Sequence, residues 1–221
     1  MSILGDSIGR LSTALMPNSR AIRDFILSKT RLNGRPYSLK NHEYQGIVID
    51  LIANNPDIDL VVQKPSQIGL SEVVYRVMLS KAYNIRGHAA AVVFPSVTQA
   101  SEIFKTRVDL IIRECPELKA LLNHKIDSSF LKMFFNNSVL YALGASVQSK
   151  STVITRPISA IYVDEVARCN PSVITAMRSR QRHQEHKSTV MFSTPLFAGF
   201  DIDNEMAKCG KIYRTVLKCA L

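Results

Sequence analysis

The apolar positions of this chain change period several times, and each change marks a new element. Between Asn41 and Asn54, Tyr44, Ile47, Val48, Leu51 and Ile52 fall at helical spacing, and Asn54-Asn55-Pro56 closes the run, which predicts an amphipathic helix. The stretch Asp59–Gln63 is short and nearly all apolar, which predicts a strand. It leads into the loop Lys64-Pro65-Ser66-Gln67-Ile68-Gly69-Leu70-Ser71, after which a helical pattern runs from Glu72 to about Tyr83. Ala89–Phe94 is a second continuous apolar run, stopped by Pro95, and Thr98–Leu122 reads as helix with a break around Cys115-Pro116. Met133-Phe134-Phe135, the polar pair Asn136-Asn137 and then Ser138–Leu143 predict a hairpin, followed by an outward-reaching polar stretch from Gly144 to Thr152. Two further apolar runs end in polar residues: Ala160–Val163 enters Asp164-Glu165, and Thr189–Phe192 enters Ser193-Thr194-Pro195.

Continuous apolar strands alternating with helices predict an α/β fold, a mostly parallel sheet covered by helices on both faces. Ligands of such sheets bind beyond the carboxyl ends of the strands, and the polar motifs all fall there. The first forty residues read as an N-terminal extension, packed on the core or partly ordered.

Composition narrows the class. At 221 residues the chain fits one domain with a core of its own, and it shows no internal repeat. No window approaches a membrane-spanning run, and Gly5, Asp6, Gly9 and Arg10 interrupt any secretory signal, so a cytoplasmic protein is expected. Lys plus Arg total 28 against 18 Asp plus Glu, and the resulting +10 favours a polyanionic partner, nucleic acid ahead of acidic membrane. The charges are scattered, so a generally basic domain is the competing explanation. Cys115, Cys169, Cys209 and Cys219 form no CxxC pair, which predicts reduced thiols; Cys219 could open a metal motif in a longer chain.

A phosphate-binding loop needs inward-pointing amides, a lysine for the terminal phosphates, and a Ser or Thr hydroxyl for magnesium at the start of a helix. Gly69 and Ser71 fit GxxxxGK[ST], but Lys64 stands where its first Gly belongs and Leu70 where its Lys belongs. Because the loop curls around the phosphates, Lys64 can aim its ammonium at the same charge from the other end. About a hundred residues on, Asp164 and Glu165 at a strand end have the arrangement of a phosphoryl-transfer site, Asp164 for the magnesium shell and Glu165 to take a proton from the attacking water. An acidic turn after any strand is the competing reading. Ser193, Thr194 and Pro195 could sense the terminal phosphate from a neighbouring strand, and Gln45 could read adenine through its paired donor and acceptor, or be a surface glutamine.

In this order the motifs resemble the large subunit of bacteriophage terminases, in the lambda-type branch, over roughly Tyr37 to Leu221. The sharpest mark is Lys64-Pro-Ser-Gln-Ile-Gly-Leu-Ser71-Glu72, since that branch is similar in placing its Walker A lysine at the start of the loop. Tyr44-Gln45, Phe94-Pro95, Gly144-Ala145-Ser146, Tyr162-Val-Asp-Glu165 and Ser193-Thr-Pro195 followed by Gly199 are also similar. The resemblance implies a P-loop NTPase of the additional-strand catalytic-glutamate type, with residues 1–36 as extension and 37–221 as ATPase domain. It implies ATP and Mg2+ as cofactors, Lys64 to Ser71 with Gln45 on the nucleotide, Ser71 and Asp164 on the metal, and Glu165 and Thr194 in catalysis. Ser193-Thr194-Pro195 becomes the segment coupling hydrolysis to DNA movement, and Arg156 the arginine that stabilises the transition state, with Arg178, Arg180 and Arg182 as competitors.

Partners implied by the same resemblance are double-stranded DNA, a homo-oligomeric and commonly pentameric ring, the portal of a procapsid, and the small terminase subunit, in the host cytoplasm and with no membrane. The acidic cluster of the family's nuclease domain is not in the sequence, so no DNA cleavage is expected of this chain. Two rivals remain at this stage: a helicase or translocase ATPase outside packaging, and a non-catalytic nucleic-acid-binding module whose loop, with Leu70, has lost hydrolysis.

Overall fold

A computed structural model describes residues 19–146, 157–196 and 202–212. Helix α1 (Ser19–Lys29) comes first, followed by a small hairpin of β1 (Arg31–Leu32) and β2 (Arg35–Pro36). The helix α2 (Glu43–Asn54), strand β3 (Asp59–Gln63), helix α3 (Leu70–Asn84) and strand β4 (Ala89–Phe94) follow. The long helical region after β4 is broken into α4 (Val97–Ile103), a π-helical turn (Phe104–Val108), α5 (Asp109–Glu114) and α6 (Pro116–Leu121). The break at Cys115 falls where the sequence places it, because proline at the first position of α6 has no amide proton to continue α5. Strands β5 (Leu131–Met133), β6 (Val139–Gly144) and β7 (Ala160–Asp164), helix α7 (Pro171–Arg178), strand β8 (Ser188–Ser193) and helix α8 (Ile202–Ala207) complete the described chain.

Six strands form one sheet in the order β3-β8-β7-β4-β6-β5, parallel throughout except for β5, which pairs antiparallel with β6. This is the α/β architecture the periodicity predicts. The hairpin begins two residues earlier than expected: Leu131–Met133 is the strand, while Phe134 to Asn137 makes the turn, with Asn137 at φ 65°. Asparagine tolerates that left-handed conformation better than most residues.

Alternation along the central strands divides the core into two layers. Ala90, Val92 and Phe94 of β4, Tyr162 of β7, and Val190 and Phe192 of β8 face a large layer capped by α1 to α6. Ala91, Val93, Ile161, Val163 and Met191 point the other way, against α7 and α8. Ile22, Phe25 and Ile26 of α1 are buried in the large layer, so residues 19–29 are packed on the core. Strands β4, β7 and β8 are buried almost end to end, which explains their lack of polar alternation; β3 lies at the sheet edge and is only half-buried.

One close approach fixes the upper end of the sheet. A Cβ on Gly144 would lie 2.5 Å from the amide nitrogen of Val97 and 2.8 Å from the carbonyl carbon of Ser96. That contact is with backbone and cannot be relieved by a side-chain rotation. Gly144→Ala is therefore expected to destabilise the fold by about 1–3 kcal/mol, seen as a lower urea midpoint with an unchanged slope. A midpoint equal to that of the parent would contradict this packing.

Candidate nucleotide site

Strand register brings the separated motifs together. Gln63 pairs with Ser193 and Asp164 pairs with Phe192, so the residues just beyond β3 and β7 flank the end of β8. Lys64 donates its backbone amide to the Ser193 carbonyl at 3.0 Å, which carries the β3-β8 ladder one step further. Its ammonium then reaches Glu165 Oε1 at 3.0 Å, while the Ser193 hydroxyl donates to Glu165 Oε2 at 3.2 Å. Lys64, Ser193 and Glu165 thus form one row across three neighbouring strand ends. Lys64 is buried, and a buried ammonium left without its partner is costly, about 3–5 kcal/mol when one member of such a pair is removed. Exposure of a third of the Glu165 side chain makes that an upper figure here.

The turn after β7 is held in an unusual backbone conformation. Among the described residues, five non-glycine positions have positive φ: Asn33, Asn41 and Asn137, then Gln67 and Glu165. Asparagine visits this region readily; glutamine and glutamate do so at a cost, and strain of that kind collects at functional sites. Both exceptions lie in the candidate site. The Cys169 thiol lies 3.6 Å from the Glu165 carbonyl and 3.8 Å from that of Asp164, donating to the strained turn from below. Burial and the neighbouring carboxylates push that thiol up to about 12, so it remains a donor at neutral pH.

Asp164 is buried, and burial raises its pKa. Hydrogen bonds from the Tyr75 hydroxyl, at 2.5 Å to Oδ2, and from Ser71 work in the opposite direction by favouring the carboxylate. Ser71 and Asp164 therefore already lie side by side, offering two hard oxygen donors. That set fits Mg2+, which takes few protein ligands and keeps waters and phosphate oxygens for the rest of its shell. Among the described residues no group of three or more His, Cys, Asp or Glu side chains is arranged for a metal.

The loop between β3 and α3 is shaped by two left-handed residues, Gln67 at φ 62° and Gly69 at φ 72°. Pro65, Ser66 and Gln67 are exposed at its tip, and Ile68 and Gly69 are half-buried. Leu70, where the usual lysine would stand, is 2% exposed and belongs to the large core layer. That position faces the protein interior, which gives a physical reason for a leucine there. The amide of Gln45 is engaged within the protein: Oε1 accepts from the Tyr37 hydroxyl at 2.6 Å, and Nε2 donates to the Ile68 carbonyl at 3.0 Å. The Tyr44 hydroxyl donates to the same carbonyl at 2.5 Å. In a trans peptide the carbonyl and the following N–H point opposite ways, so drawing the Ile68 carbonyl toward α2 turns the Gly69 amide away from it. In this arrangement Gln45 braces the loop, and the donor and acceptor that its spacing offers to adenine are both in use.

The structure thus joins Lys64, Ser71, Asp164, Glu165 and Ser193, with Gln45 on the loop behind them. Thr194 is half-buried and Pro195 exposed at the end of β8, and the hydroxyl seen bonded to Glu165 is that of Ser193. Arg156, Gly199 and Cys219 lie outside the described residues. Sequence reasoning missed Tyr75 and Cys169. Tyr75 had a signal, since it follows Ser71 by four residues and shares its helix face; Cys169 had none.

Residues 35–219 match the family of the phage terminase large subunit gpA, ATPase domain. The chain belongs to that family. Membership in this terminase family makes the chain an ATPase domain and hence nucleotide-binding, and it removes support for the two rival readings. The large terminase of bacteriophage HK97 shares the fold, with a TM-score of 0.72 at 16% identity, covering 86% of this chain and 40% of that one. The large terminase ATPase domain of Thermus phage P74-26 gives 0.53 at 15% identity over 66% and 64% of the two chains, and a point mutant of it gives 0.55 at 17% over 68% and 65%. No curated protein sequence matches. The chain therefore spans well under half of the HK97 terminase and about two thirds of the P74-26 domain.

Tyr75→Phe removes a bond that favours the Asp164 carboxylate, so the Asp164 pKa should rise further. The acid limb of the ATPase pH profile should then move to higher pH, with activity at the alkaline side of the profile largely kept. An acid limb in the same place would mean that Tyr75 has no hold on Asp164.

Proposed function

We propose that this chain is the motor domain of a viral DNA-packaging terminase, coupling Mg2+-dependent ATP hydrolysis to the movement of double-stranded DNA into a procapsid. The observation that carries the reading is the row of Lys64, Ser193 and Glu165 across three adjacent strand ends, with Ser71 and Asp164 beside it. An ammonium has three protons to donate; Glu165 takes one, and the others serve the β- and γ-phosphates. Loop amides from Ser66 to Leu70 cradle the phosphates, and Ser71 with Asp164 would hold Mg2+, which neutralises charge on the phosphate oxygens. Glu165 accepts a proton from the attacking water as its oxygen bonds to the γ-phosphorus and the bond to ADP breaks. Ser193, on Glu165 Oε2, is the first residue of the Ser193-Thr194-Pro195 segment, so a change at the carboxylate is felt directly by the coupling segment.

Arg156 is proposed as the arginine that offsets charge in the transition state, acting within one chain or between neighbours. The net charge of +10 suits double-stranded DNA as the track. The working assembly is a homo-oligomer, pentameric on the portal, recruited through the small terminase subunit in the host cytoplasm. No described helix is long and apolar enough to cross a membrane.

The test is ATP hydrolysis with Mg2+, with and without double-stranded DNA, over a protein concentration series. Lys64→Ala and Glu165→Gln should each lower the turnover number by roughly a hundredfold or more, while Glu165→Gln should keep nucleotide binding. Ser193→Ala should retain hydrolysis better than either and lose DNA stimulation. Hydrolysis unchanged in both of the first two variants would place the active site elsewhere.

A further inference from the structure

The loop that faces the phosphates brings a single cation, Lys64, and a nucleoside triphosphate carries more negative charge than one lysine and one Mg2+ offset. Glu72, directly after Ser71 in the first turn of α3, adds another negative charge at the same rim. Two arginines are bound to that carboxylate. Arg76 is fully buried: besides Glu72 it donates to the Arg31 carbonyl at 2.6 Å, and its guanidinium lies 4.4 Å from the centre of the Tyr37 ring. These contacts fix it within α3 and the β1-β2 hairpin. Arg107 is different. It comes from the π-helical turn of the neighbouring helix, reaches Glu72 Oε1 at 2.5 Å, and leaves 58% of its side chain in solvent.

Glu72 already has a buried guanidinium of its own, so neutralising it does not require a second one. The Arg107 end of this pair lies largely in solvent, where an ion pair contributes little to stability. π-helical turns recur at functional positions, and this one sets Arg107 toward the start of α3. The Glu72 carboxylate holding Arg107, with smaller contributions from Tyr75 and Asp164, raises the Arg107 pKa. Arg107 is thus an arginine at the rim of the metal and phosphate site, held by a partner that can release it.

We propose that Arg107 is the second cation of the nucleotide site, engaging the polyphosphate of a bound nucleoside triphosphate from within the same chain while Arg76 keeps Glu72 neutralised. This rests on the nucleotide site described above. Its guanidinium presents paired N–H donors to phosphate oxygens in a geometry that a point-like ammonium cannot match. Arg107 is present in every subunit's own site, and so it serves binding whether or not neighbours assemble.

The test is a titration of Mg·ATP binding, followed with a fluorescent ATP analogue, on the parent, Arg107→Ala, Glu72→Gln and the double variant, with thermal midpoints measured alongside. Arg107→Ala should weaken binding by roughly tenfold or more with its midpoint near that of the parent, and the double variant should remain as weak. Arg107→Gln keeps a donor for Glu72 without the charge and should bind as weakly as Arg107→Ala, which separates lost charge from lost folding. Recovery of parental affinity in the double variant would show that Arg107 only masks Glu72, and parental affinity in Arg107→Ala itself would equally overturn the proposal. Failure of the underlying site reading looks different: Lys64→Ala would bind as tightly as the parent, or the parent would bind no Mg·ATP, and both conclusions would fall.

Discussion

The ion pair between Lys64 and Glu165 joins strand ends that are not neighbours. Strand β8 lies between β3 and β7, and the pair closes over it at 3.0 Å, with the Ser193 hydroxyl on the other oxygen of the same carboxylate. Lys64 is buried and keeps a charged partner in Glu165, whose own backbone is left-handed at the end of β7. Sheet order, register and local strain all converge on this contact. If β8 were not inserted at this place, Lys64 and Glu165 would not flank Ser193.

The leucine at position 70 has a packing reason. Position 70 points into the core above the sheet and is packed as an apolar residue. Position 64 continues the edge strand and is tied by its amide to Ser193, so its side chain has a fixed origin beside β8. The charge therefore enters the site from the strand side of the loop. The loop itself is braced from behind by Gln45 and Tyr44 on the Ile68 carbonyl. Tyr75 and Ser71 join α3 to Asp164, so loop, helix and acidic strand behave as one hydrogen-bonded unit.

Much of the architecture was legible in the sequence because the central strands are buried on both faces and therefore read as unbroken apolar runs. Asp59–Gln63 and Ala89–Phe94 coincide with their predicted spans, and the helix break falls at Cys115. The hairpin was displaced by two residues because Phe134 and Phe135, apolar enough for a strand, lie in and beside a turn. Strand order was not legible: nothing in the local pattern says that β8 inserts between β3 and β7. The loop and the acidic pair were found through residue types at fixed spacing. Tyr75, Cys169 and the Arg107–Glu72 pair were missed because they are contacts between elements, and only the packing of helices and turns brings them together. The amide of Gln45 was assigned by type to adenine, while its use inside the loop depends on Tyr37, eight residues earlier.

Lys64, from the start of the loop, is proposed to do the work of the lysine missing at position 70. The measurement that tests it most directly is a crystal structure of the protein with Mg2+, ADP and a γ-phosphate mimic such as beryllium fluoride. The expected result is the Lys64 ammonium within hydrogen-bond reach of the β-phosphate or the mimic, with a Glu165 carboxylate oxygen on the water in line for attack. A nucleotide bound with its phosphates out of reach of Lys64, or contacted there by another cation in its stead, would contradict it.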